Sequence, residues 1–91
     1  MAADVRDNPA LSRFELDVNG ATAVANYQLK GRVMTITHTE VPPQARHSGI
    51  ASQLIAGALQ VARARGLKIV PRCSFVKAYV DEYPEVRDLL A

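Results

Sequence analysis

A chain of 91 residues, 48% hydrophobic and 22% charged, has the length of one small domain and the composition of an ordinary globular one. Its formal net charge of +2 is too small for the clustered basic face of a nucleic-acid binder, and no apolar run approaches the roughly 18 residues of a membrane span. Its single cysteine can form no internal disulfide, which makes a reducing cytoplasm the expected compartment.

Residues 1–10 are polar, carry Pro9 and lack the long apolar core of a signal peptide. They are expected to form a loose tail, with residues 11–91 as the single domain. Phe14, Leu16 and Val18 then alternate with Glu15 and Asp17, the pattern of a half-buried strand. Asn19-Gly20 is a strong hairpin signal, because both central positions of that turn take positive φ. Ala23, Ala25, Tyr27 and Leu29 alternate along a second strand, and Lys30-Gly31 marks the next turn. "RVMTITHTEV" is rich in β-branched residues and reads as a third strand.

The period changes after Pro42-Pro43, since proline cannot donate to a ladder. From Gly49 onward Ile50, Leu54, Ile55, Ala58, Leu59, Val61 and Ala62 follow a helical period, and Gly66 ends it. "LKIVPRCSF" holds a short strand, Leu67 to Val70 or a little beyond, "FVKAYVDEY" a helix and "PEVRDLL" a last short helix. The order is βββ-α-β-α-α. A strand, helix and strand in succession predict a right-handed crossover and a parallel pair. The expected fold class is therefore α/β (α+β), with a mixed, mainly antiparallel sheet covered by the Ile50 helix.

Three places carry candidate chemistry. In "VPPQARHSGIASQL" a loop enters a helix, and a helix N-terminus offers unpaired N–H groups to an anion. Gly49 allows close approach, and Arg46 and His47 add donors. The alternative is that Ser48 simply caps the helix. His38 and Glu40, two apart on the third strand, are expected to share the face of Met34 and Ile36. They could accept a proton from an amine or form only a hydrogen-bonded pair. Cys73 follows the last strand, where a helix N-terminus could lower its pKa; buried packing is the alternative. Tyr79 would lie on the inner side of the following helix, as a core residue or as a proton donor to a leaving thiolate.

The runs "THTEVPPQARHSGIASQLI" and "GLKIVPRCSFVKAYVDEYPE" together resemble the small single-domain branch of the GNAT N-acetyltransferase superfamily. Arg46, Gly49 and Ala51 match its acetyl-CoA loop, and Pro71-x-Cys73-Ser74-Phe75 matches a segment specific to this branch. The resemblance covers residues 14–90 and implies an acetyl-CoA-dependent N-acetyltransferase needing no metal. It puts the pyrophosphate on backbone N–H groups of Arg46, His47, Ser48, Gly49, Ile50 and Ala51. The pantetheine would lie near Glu40 and Val41, and Cys73 close to the thioester. In the direct route that the resemblance implies, Glu40 or His38 takes the amine proton and Tyr79 or Cys73 protonates the CoA thiolate. In the covalent route Cys73 takes the acetyl group first. Asn19-Gly20 leaves no room for the helices that shape the amine site in larger members. The expected acceptor is thus an amine on a larger partner, such as a protein lysine, met by a monomer or weak homodimer. A CoA-binding module with little catalysis and a small adaptor are the competing readings.

Overall fold

The computed structural model describes residues 5–45 and 49–91. Its strands are β1 (Arg6–Asn8), β2 (Arg13–Val18), β3 (Ala21–Lys30), β4 (Val33–Glu40) and β5 (Lys68–Pro71). Its helices are α1 (Ile50–Ala64) and α2 (Ser74–Glu82), with 3-10 turns at Pro43–Ala45 and Pro84–Leu89. The five strands form one sheet in sequence order. The first four pair antiparallel, and β5 joins β4 in parallel after the α1 crossover. The mixed, mainly antiparallel sheet is the one expected.

The β2–β3 turn forms at Asn19 (φ 50°) and Gly20 (φ 79°), the left-handed pair that a tight two-residue hairpin requires. Phe14, Leu16, Ala23, Ala25, Tyr27, Met34, Ile36 and Ile69 form the buried face of the sheet. Leu54, Ile55, Ala58, Leu59 and Ala62 of α1 and Val76 and Val80 of α2 close the same core. The Phe14 and Tyr27 rings stand 5.1 Å apart, tilted by 45°. The other face of the sheet is polar: Arg6 pairs with Asp17 (2.8 Å) and Glu15 (3.1 Å), and Arg13 with Glu15 (2.7 Å).

Residues 1–10 are not a loose tail throughout. Arg6–Asn8 is an edge strand in register with Arg13, Phe14 and Glu15. Polar contacts hold it on both faces. Outside, Arg6 and Asn8 reach Asp17 and Glu15. Inside, Asp7 accepts from the Tyr27 hydroxyl at 2.6 Å and pairs with Arg65, the C-cap of α1, at 2.7 Å. Val5 lies so close over Gly57 that a Cβ there would come within 2.5 Å of it. The first four residues of the expected tail lie outside the described residues.

A second correction concerns His38 and Glu40. The β3–β4 register shifts between Asn26 and Tyr27, so that Tyr27 faces Ile36 and Asn26 faces His38. Thr37 is the extra residue of a β-bulge, and the bulge reverses the alternation. Thr39 now stands opposite the buried Ala25. His38 and Glu40 turn to the outer face and are exposed.

Candidate active site

The site is built where β4 leaves β5. Their parallel pairing runs from Val33↔Lys68 to Ile36↔Pro71 and ends there. Pro71 ends the ladder because it has no N–H to donate. The next two N–H groups, of Arg72 and Cys73, both donate to the Ile36 carbonyl at 3.1 Å. The chain then turns into α2, while β4 stays paired to β3 as far as Glu40. Residues 37–40 are thus left without a β5 neighbour.

A pocket of about 380 Å³ opens at this divergence, lined by His38, Thr39, Glu40, Val41, Ala51 and Phe75. That volume lies in the range of small-molecule sites. Three elements meet there: the end of β4, the first turn of α1 and the first turn of α2. Gly49 holds the N-cap position of α1 with φ 70°, and the N–H groups of a helix's first turn have no partner within the helix itself. Among the described residues, a Cβ on Gly49 would meet nothing within 4 Å. Ile50 is buried, and Ala51 faces the pocket. Arg46, His47 and Ser48 lie outside the described residues.

Cys73 is half-buried at the N-cap of α2, and its Sγ lies 3.4 Å from Thr39 Oγ1. Burial pushes the thiol pKa up, but the Thr39 hydroxyl and the N–H groups of Val76 and Phe75 outweigh it and bring it below the ordinary thiol value. No capping hydrogen bond closes at the sulfur, so the two N–H groups act as aligned dipoles at a helix start. His38 and Glu40 line the pocket from the outer face and form no hydrogen bond with each other. Tyr79 is elsewhere. It stacks on Tyr83 at 4.5 Å and lines a separate hollow of about 200 Å³ between α1, α2 and the C-terminal 3-10 turn. Burial is the main cause that raises its phenol pKa.

The structure therefore brings His38, Glu40, Val41 and Ala51 together around one pocket, sets Cys73 against its Thr39 wall, and leaves Tyr79 out. Sequence reasoning passed over Thr39, because strict alternation assigns it to the outer face. Phe75 was available as the aromatic in the "PRCSF" segment. Among the described residues no three His, Cys, Asp or Glu side chains gather as a metal site, and no helix is long and apolar enough to cross a membrane.

A family model described as GCN5-related N-acetyl-transferase matches residues 13–89. The chain belongs to the GCN5-related N-acetyltransferases. It is similar to Protein NATD1 of mouse and of chicken, in each case 36% identical over 75 residues, 79% of this chain and 68% of the relative. Its fold is similar to the solution structure of a GCN5-like protein from Staphylococcus aureus. The TM-score is 0.74 over 99% of this chain and 89% of the other, with 24% identity. At that identity the likeness speaks for the fold. In this GCN5-related fold the pocket sits at the ends of β4 and β5, beside the loop that enters α1.

Proposed function

We propose that the chain transfers an acetyl group from acetyl-CoA to an amine presented by a larger partner, such as a protein lysine. The observation that carries this reading is the divergence of β4 from β5 after Ile36, which opens a pocket beside the start of α1 and sets its Thr39 wall against the Cys73 thiol. Acetyl-CoA, when bound, supplies an activated acetyl thioester. The residues present suit it. The N–H groups of Gly49, Ile50 and Ala51 at the helix start, with Arg46, His47 and Ser48 before them, would hold the phosphates. Strand edge at Glu40 and Val41 would hold the pantetheine amides as a neighbouring strand holds peptides.

The roles divide between the two walls. On the outer face Glu40, with His38 beside it, accepts the proton of an approaching amine, and its exposure suits an amine carried on a macromolecule. On the inner face the Cys73 thiol donates a proton to the departing thiolate. Tyr79, on the other hollow, takes no part. The open outer face, with helices packed on the opposite one, is the reason for expecting a large acceptor rather than an enclosed small amine.

Acetyl-CoA turnover with lysine-bearing peptides and a polyamine panel tests the reading. The native chain should consume acetyl-CoA faster with an acceptor than without. Glu40→Gln and Cys73→Ala should each lower kcat by about a hundredfold. CoA binding with no acceptor-dependent turnover would replace the enzyme reading with that of a CoA-binding module. An acetyl group trapped on Cys73 would replace proton donation by the covalent route.

A further inference from the structure

The inner wall of the pocket is made by a contact between two residues 34 apart in sequence, Thr39 and Cys73. It depends on the bulge. A regular β4 would turn Thr39 to the outer face, away from α2. With Thr37 as the extra residue, Thr39 points inward opposite Ala25 and meets the sulfur at 3.4 Å. Cys73 is itself fixed from behind by its N–H bond to the Ile36 carbonyl. Sulfur and hydroxyl are therefore both held by β4, on either side of the bulge.

We infer that Thr39 is a positioning residue for Cys73, its hydroxyl orienting the sulfur at the pocket wall and stabilising the deprotonated form. A hydroxyl suits this because it both accepts and donates. While the sulfur is a thiol, S–H donates to Thr39 Oγ1. When the S–H bond breaks and its proton passes to solvent water, the electron pair stays on sulfur. The Thr39 O–H then turns and donates to it. The thiol pKa held below its ordinary value agrees with such a partner. Among the described residues, the titratable or charged groups on the surrounding elements are His38 and Glu40 on β4, Lys68 on β5 with Arg72 after it, and Lys77, Tyr79, Asp81 and Glu82 on α2. None of them forms a hydrogen bond or ion pair with Cys73, and the first turn of α1 has no acidic or basic side chain.

As a role in catalysis this rests on the acetyl-transfer reading; as a property of the thiol it does not. The test therefore reads the thiol directly, as the rate of Cys73 alkylation by iodoacetamide against pH in the full chain. Thr39→Val, close in shape, should raise the alkylation midpoint by about one pH unit. Thr39→Ser should keep it within a few tenths of a unit of the native value. Thr39→Ala is the second variant should the valine chain fail to fold, with the same upward shift expected. An unchanged midpoint in whichever of these two folds would overturn the proposal, as would a serine variant that shifts like valine. Failure of acetyl transfer alone would leave the native chain without turnover yet with the Thr39-dependent midpoint intact.

Discussion

Tyr27 shows how a single side chain joins the core to its edge. Its ring packs on Phe14, and its hydroxyl donates to Asp7 of β1. Burial first, and then the Asp7 hydrogen bond, push the phenol up to about 12 from an ordinary 10.0. The folded state thus favours the protonated phenol. Its stabilising effect is fully present below pH 10 and is lost as pH rises toward 12. Tyr27→Phe should cost about 1 kcal/mol at neutral pH, read by urea denaturation, and should flatten the alkaline fall in stability over that window. On the acid side the signs reverse. Hydrogen bonds hold Glu15 down, from Arg13 first and then Asn8, and Asp17 down, from Arg6 first and then Thr22. Their stabilising effect is present above the ordinary carboxylate range and fades as pH falls through and below it. Arg13→Gln should therefore weaken the acid dependence of the melting temperature, leaving the alkaline limb as it is.

At the scale of elements, β1 and α1 depend on each other through Gly57. Helix propensity alone predicts that Gly57→Ala stabilises α1 by about 1 kcal/mol. A Cβ there would meet Val5 Cγ2 at 2.5 Å and Val5 Cβ at 2.6 Å, too close without movement. The variant should instead lose stability, and the β1 amides should exchange faster. Combining it with Val5→Gly, which removes both close atoms, should recover part of the loss, a coupling that a double-mutant cycle in urea would measure. These two elements also show what the sequence could and could not tell. β2, β3, β4 and α1 were legible because apolar alternation and helical period both report burial. β1 was not, because "RDN" is held by ion pairs and a phenol from residues distant in sequence, which no local period records. The faces of Met34 and Ile36 were legible, but those of His38 and Glu40 were not. One unpaired residue at Thr37 inverts the alternation, and the cause lies in pairing with β3 rather than in β4 itself. The same inversion hid Thr39. Cys73 and the Gly49 loop were singled out because residue types mark a helix start after a strand, and the family resemblance then gave them a role.

The whole molecule has a Cα radius of gyration of 12.1 Å, as expected for a compact single domain of this length. Its two layers put the helices on one face and leave the polar face of the sheet open, so the two walls of the pocket belong to different sides of the molecule. Glu40 and His38 face the open side, while Thr39 and Cys73 face the core. Under the proposed function, this division would let a small chain bind a large thioester on one side and meet a large acceptor on the other. The most direct test is a titration of the 15N-labelled chain with acetyl-CoA, following backbone amide shifts. The predicted movement centres on residues 38–41, on Gly49 and Ala51, and on Cys73 and Phe75. Shifts confined to the hollow around Arg63, Tyr79 and Val86, or no shifts at all, would contradict it.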